Sequence, residues 1–231
     1  MKIARIIDYE TTGTQDDEAA EVIEFGRYDV DLETLEIVNP WRSFAKPAGA
    51  IPAATKAVHH ITEGDVAFAP PARDLWPRFF VGCGADDILV AHNAKFEKHF
   101  TPNASEYVWV DTYKVARVVW PDAPTHSNQG LRYWLEIELD DELAVPPHRA
   151  LPDAYVTAHI FLRLLQEKTV AEMVTISQYP ALLRKITFGK KAKGQTYEEA
   201  PLDYLEWIRD GSDLDEDTKF SAKYWIQKRR K

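Results

Sequence analysis

The chain opens on an apolar run from Ile3 to Ile7 that delivers two acids one residue apart, Asp8 and Glu10, and breaks at Thr11-Thr12-Gly13. The run has the length and branched composition of a buried strand. Side chains two apart on a strand share a face, so Asp8 and Glu10 are expected side by side. Polar residues 14–19 predict a loop. Val22, Phe25, Tyr28 and Val30, and then Leu35–Phe44, predict two more strands joined by a turn near Asp31–Thr34. These continue the first strand as an antiparallel meander.

After a loop marked by Pro47, Gly49 and Pro52, helical and strand patterns alternate. Ala53–His60 predicts a short helix. Pro70 and Pro71 open another through about Gly82, with Leu75, Trp76, Phe79 and Phe80 inward. Asp87–Ala91 predicts a buried strand ending at His92-Asn93, followed by a helix carrying Phe96, Glu97 and Phe100. Tyr107–Val110 predicts a strand ending at Asp111-Thr112, with a helix through Trp120. Ser127 or Asn128 caps the next helix, whose Leu131, Trp134 and Leu135 are expected in the core. Arg149–Lys168 is the strongest helix, with Leu151, Tyr155, Ala158, Leu162 and Leu165 on one stripe and Pro152 tolerated in its first turn. A meander followed by alternation predicts an α/β fold, a mixed β-sheet flanked by helices.

The pattern changes near Val170. Val170–Leu183 reads as a helical linker, Ile186–Lys190 as a short strand and turn, and Pro201–Ile208 and Asp217–Lys228 as aromatic-rich helices. The expected division is a domain over residues 1–168, a linker over 169–185 and a small C-terminal α+β module over 186–231.

Composition narrows the class. An apolar share of 45% with 12% aromatics is that of a globular protein. The single cysteine, Cys83, excludes an internal disulfide and a cysteine-based zinc site. With no charged-then-apolar leader and no apolar run near the ~18 residues that span a bilayer, a cytoplasmic protein without membrane attachment is expected. The net charge is −9, but acids gather in 16–24, 136–142 and 210–217 and bases in 184–193 and 223–231. An acidic centre with basic surroundings remains compatible with a phosphate substrate if cations sit between them.

Three places repeat one arrangement, an apolar element delivering a carboxylate to its end. They are Asp8/Glu10, the strand-to-helix turn His92-Asn93-Ala94-Lys95-Phe96-Glu97, and His148-Arg149-Ala150-Leu151-Pro152-Asp153. In the last, Asp153 falls in the first helical turn, where the helix field favours negative charge. Adjacent carboxylates repel unless a cation neutralises them, and oxygen-only donors suit Mg²⁺ or Mn²⁺. Four acids and a histidine are what two-metal phosphodiester cleavage requires.

In order and separation, these motifs resemble those of the DEDDh 3′→5′ exonucleases, over Lys2 to about Glu167. Val58-His59-His60-Ile61-Thr62 also resembles that family's Val-His-Gly-Ile-Thr segment, with His60 in place of the glycine. Phe188-Gly189-Lys190 with Pro201, Tyr204, Leu205 and Trp207 resembles the C-terminal extension of the exonuclease X type. The resemblance implies an RNase H-like fold and release of mononucleotides from DNA 3′ ends with two Mg²⁺ (or Mn²⁺) ions. It implies Asp8, Glu10, Glu97 and Asp153 as metal ligands and His148 as general base. It also implies Thr11, Thr12, His92, Asn93 and Phe96 around the terminal nucleotide. One departure stands out: Glu97 replaces the family's usual aspartate and places its carboxyl about 1.5 Å further out. The same chemistry on RNA, and an end-binding subunit in which Glu97 has cost catalysis, stay open as alternatives.

Overall fold

The computed structural model describes residues 2–211 and 213–230. Five strands, β1 (Ile3–Thr11), β2 (Val22–Asp31), β3 (Ile37–Phe44), β4 (Ile88–Ala91) and β5 (Val108–Asp111), form one sheet in the order β3-β2-β1-β4-β5. The first three pair antiparallel, while β4 runs parallel to β1 and β5 parallel to β4. This is the mixed sheet that the meander and alternation predict. Between the strands lie α1 (Ala53–His59), α2 (Glu63–Val66), α3 (Ala72–Phe79) and α4 (Lys95–Phe100). The second half adds α5 (Thr112–Val119), α6 (Asn128–Trp134), α7 (Ala150–Leu165) and α8 (Val170–Gln178), then α9 (Leu202–Asp210) and α10 (Glu216–Arg229).

The sheet is covered on both faces, and the strand alternation sorts its residues between two cores. Ala4 and Ile6 join Tyr28, Val30, Val90 and the α7 side chains on one face. Ile7 and Tyr9 join Phe25, Leu75, Phe79 and Trp109 on the other. On that second face Arg5 is fully buried. Its guanidinium is held by Asp29 at 2.8 Å and donates to the carbonyls of Phe79 and Val81 at the end of α3. A buried arginine survives there only because its donors are used.

α7 crosses β1 and β2. Its buried side is broader than the predicted stripe: Ala150, Ala154 and Ala158 lie fully inside with Val156, Ile160, Phe161 and Leu164, whereas Leu151, Leu162 and Leu165 lie at the margin. The alanines repeat every four residues, so the helix can approach the sheet closely.

Two other expectations are corrected. Trp134 does not face the core but is 39% exposed, because the short α6 turns Leu131 and Arg132 inward, with Leu135 packed at the edge of the core just beyond it. Ile186–Lys190 forms no strand: a single bridge joins Lys185 to Thr196, and Gly189 at φ +71° turns the chain. Beyond α8, Leu183, Ile186, Tyr197, Leu205, Ile208, Ala222 and Ile226 make a separate apolar cluster, on which Val118 and Ile176 also pack. Tyr197 is fully buried in this cluster.

Candidate active site

β1 places Asp8 and Glu10 on the face toward α7, as alternation requires. The ladder with β2 pairs Asp8 with Gly26 and Glu10 with Glu24, and its register shifts between Glu10 and Thr11. Such an irregularity bends a strand end and re-aims its side chains. Gly26 has no side chain to hold α7 away, and the backbone of Ala150 and Leu151 occupies the space a β-carbon would take. Beside it, buried Glu24 accepts from Arg149 Nε at 2.8 Å and Nη2 at 2.6 Å, and from the Ala150 N–H at 3.1 Å. Glycine contact and bidentate ion pair together fix the start of α7 against β2. Asp153 is carried one turn further in.

The result is that carboxylate oxygens of Asp8, Glu10 and Asp153 all lie within 4.8 Å of one another, though Asp153 is far along the chain from the other two. Asp153 is oriented by its own neighbourhood. Its Oδ2 accepts from the His148 N–H at 2.8 Å and its Oδ1 from Gln129 Nε2 at 3.4 Å. Asn128, following the Ser127 cap of α6, donates to the Asp153 carbonyl at 3.1 Å and to Thr157 at 2.7 Å.

Electrostatics show an acidic centre short of positive charge. Burial holds Asp8 well above the usual carboxylate range, and the charges of Asp153, Glu10, Glu97 and Glu24 push it the same way. Burial, then Asp153 and Glu24, raise Glu10 to about 8, with Arg149 opposing. Asp153 is also raised by burial, against the His148 N–H that favours its ionised form. Carboxylates crowded together with their pKa values raised are the signature of a group waiting for a cation.

Glu97 stands apart from the cluster of three. It is 3% exposed in α4, its Oε2 is buried with no hydrogen-bond partner, and burial followed by the charges of Asp111 and Glu10 raises its pKa well above normal. A buried carboxylate oxygen without a donor is costly unless something absent from the bare chain meets it. The oxygen-only donor set and this orphaned atom both fit divalent cations.

The remaining sequence-derived candidates divide. His148 is exposed, at φ +59°, on the loop leading into α7. Thr11, the last residue of β1, and Thr12, in the turn after it, are buried, and Thr12 Oγ1 accepts from the Glu21 N–H at 2.9 Å. Asn93 is exposed at φ +75°, and its N–H donates to Asp111 at 3.1 Å. Phe96 is half-buried against Phe100. His92 faces inward: its ring nitrogens meet Thr112 Oγ1 at 2.9 Å and the His126 carbonyl at 2.8 Å, and burial lowers it to about 4. It braces the 126–128 loop as a neutral ring.

Sequence reasoning passed over Gly26, the Glu24–Arg149 pair and Gln129. The first two carried a signal, since a glycine and an acid inside the apolar stretch Val22–Val30 mark a close approach and a buried pair. Gln129 carried none, because its contact with Asp153 depends on how α6 meets α7.

Comparison with known proteins agrees with this geometry. The profile of the RNase T exonuclease family matches residues 6–161. Exodeoxyribonuclease 10 of Escherichia coli K12 is 31% identical over 96% of this chain and 98% of its own length. A DNA polymerase III subunit epsilon-like protein of Rhodobacter capsulatus is 32% identical over 78% of this chain, which corresponds to 26% of that protein. Among solved structures, exonuclease X in complex with 5′-overhanging duplex DNA superposes with a TM-score of 0.64 at 32% identity, covering 75% of this chain and 99% of that one. The nuclease domain of 3′hExo, a DEDDh family member bound to rAMP, shares the fold with a TM-score of 0.59 at 20% identity, covering 72% of this chain and 92% of that one. The chain belongs to the DEDDh exonuclease family, with an RNase H-like fold. Exonucleases of this family depend on divalent metal, and the acidic cluster is compatible with binding it.

Proposed function

We propose that this exonuclease removes nucleoside 5′-monophosphates from the 3′ ends of DNA, with Mg²⁺ (or Mn²⁺) at two positions per site. The observation that carries the reading is the convergence of Asp8, Glu10 and Asp153 within 4.8 Å. The relatives named for deoxyribonuclease activity and for bound duplex DNA support DNA as the substrate.

Asp8, Glu10, Glu97 and Asp153 would hold the ions, Glu97 through the oxygen that lacks a partner. When bound, the cations supply charge neutralisation at the scissile phosphate and lower the pKa of the attacking water. His148, exposed beside Asp153, receives the proton of that water at a ring nitrogen. Its backbone N–H bond to Asp153 ties the main chain of the base to the ligand carboxylate. The turn of Thr11 and Thr12 offers backbone to the terminal nucleotide, while Asn93 and Phe96 line the wall behind Glu97. His92 keeps that wall rigid through Thr112 and the His126 carbonyl.

We assign catalysis to residues 1–168, a linker to 169–185 and a substrate-gripping role to the module over 186–231. In that module Lys190 and Lys193 are exposed and form no ion pair among the described residues, whereas Lys191 pairs with Asp203 and, at the end of the linker, Lys185 pairs with Asp122. The lone cysteine supports a cytoplasmic setting, and no helix among the described residues is long and apolar enough to cross a membrane.

Paired DNA and RNA oligomers, 5′-labelled and with free or blocked 3′ ends, test the reading. Stepwise shortening of free-ended DNA, abolished by EDTA, is expected. Internal cleavage, or shortening that survives EDTA, would overturn it; faster shortening of RNA would move the substrate to RNA.

A further inference from the structure

The acid that closes the carboxylate cluster is wired to an exposed aromatic ring. Gln129 donates to Asp153 Oδ1 at 3.4 Å, and its own Oε1 accepts from Arg132 Nη1 at 3.3 Å. Arg132 is 5% exposed, yet its guanidinium carbon lies over the Tyr133 ring, 5.0 Å from the centroid. A second arm of the same guanidinium holds Asp141 in the loop that leads to His148. Gln129 and Tyr133 are four apart on α6, so they lie one above the other on one side of the helix.

Tyr133 is nonetheless 70% exposed, and Leu143 and Val145 of the same loop are 46% and 51% exposed. A large ring backed by a cation, open to solvent and one helical turn from Gln129, offers a free face to a flat group. Phe68, by contrast, is fully exposed between α2 and α3, a segment that supplies none of the clustered acids.

Resting on the nuclease reading above, we propose that Tyr133 is a stacking platform for a base upstream of the terminal nucleotide in the bound strand, held in place by Arg132. An aromatic face accepts any base, because every base has a π-face, and it adds affinity without reading sequence. Arg132 serves twice, stiffening the ring from behind and keeping Gln129 turned to Asp153. Substrate seated on Tyr133 would thus be registered against the acid that helps hold the metal. Tyr133 is a positioning residue and touches no reacting atom.

The test compares Tyr133→Ala, Tyr133→Phe and Tyr133→Trp with the unaltered protein. Affinity is read by fluorescence anisotropy with an oligodeoxynucleotide whose terminal linkage resists hydrolysis. Turnover is read on the p-nitrophenyl ester of thymidine 5′-monophosphate, which has no neighbouring base. Tyr133→Ala is expected to weaken oligonucleotide affinity about tenfold or more. Phe and Trp variants should restore it, and ester turnover should stay unchanged in all three. Unchanged affinity in the Ala variant would overturn the proposal, as would a Phe variant as weak as Ala or an equal loss on the ester. Intact affinity effects in a protein that turns over no substrate would count against the nuclease reading alone.

Discussion

Gly26 on β2 lies directly against the Ala150 carbonyl at the start of α7, with no room for a β-carbon between them. Across the ladder Gly26 faces Asp8, and one turn beyond Ala150 comes Asp153. The distance between two of the three clustered acids is therefore set by a missing side chain. In Gly26→Ala the methyl group must push α7 outward, and the rigid backbone of both elements leaves it nowhere else to go. Overpacking of this kind costs about 1–3 kcal/mol, and displacing catalytic groups by about 1 Å costs on the order of a hundredfold in rate. Steady-state kinetics should show kcat down about that much while circular dichroism shows a folded protein. Full activity in this variant would mean that the site tolerates a shifted Asp153.

Glu97 is the residue on which family pattern and structure pull apart. It lies outside the cluster of Asp8, Glu10 and Asp153, yet its Oε2 is buried without a partner. If that oxygen meets a metal ion, Glu97→Ala should lose about a hundredfold or more in kcat and shift the Mg²⁺ dependence to higher concentration. Glu97→Asp, one methylene shorter, should keep activity within about tenfold because the surrounding chain can follow by a small rotamer change. Metal titrations of both variants decide the point. Unaltered activity and metal response in Glu97→Ala would remove it from the ligand set.

Much of this architecture was legible before any coordinates. Strand period alone placed Asp8 and Glu10 on one face, and the change from meander to alternation gave the mixed sheet. What the sequence concealed was contact between elements. The stripe of Leu151, Tyr155, Ala158, Leu162 and Leu165 includes Ala158 but not Ala150 and Ala154, which are fully buried where Gly26 and β2 leave little room. Hydrophobicity predicts Trp134 inside, yet α6 buries Leu131 and Arg132 and leaves Trp134 39% exposed. Gln129 reaches Asp153 only through the angle between two helices, for which a single chain offers no pattern.

The raised carboxylates predict how stability responds to pH. Glu10 sits at about 8 in the metal-free chain, and Asp8 and Asp153 are shifted in the same direction, chiefly by burial. An acid whose folded pKa is raised binds its proton more tightly when folded, so its stabilising effect is complete at low pH and is lost as pH climbs toward the folded value. In EDTA the melting temperature should therefore fall as pH rises from about 4.5 to 8. Saturating Mg²⁺ should flatten that decline, because bound cations favour the ionised acids. Thermal melts across this range, with and without metal, measure both arms. A melting temperature that rises with pH in EDTA would contradict the electrostatics of the cluster.

His60 occupies a position shaped for glycine. It follows α1 at φ +59° and ψ +15°, where its N–H closes the helix on the Lys56 carbonyl at 2.9 Å. A β-carbon in this left-handed region costs roughly 1–2 kcal/mol. The imidazole itself is exposed and gains no hydrogen bond among the described residues to offset that cost. Next to it His59 points inward and accepts from the Ile61 N–H at 3.0 Å, so the turn is held by other groups. His60→Gly should stabilise the protein by about 0.5–1 kcal/mol, the strain relieved less the extra unfolded-state entropy of glycine. For a chain of this size that raises the melting temperature by a few degrees. His60→Val should do the reverse, since a branched β-carbon fits that backbone worst. Exonuclease activity should be the same in both variants at 25 °C. A lost activity in His60→Gly would show that the imidazole, and not the turn it sits in, serves the substrate.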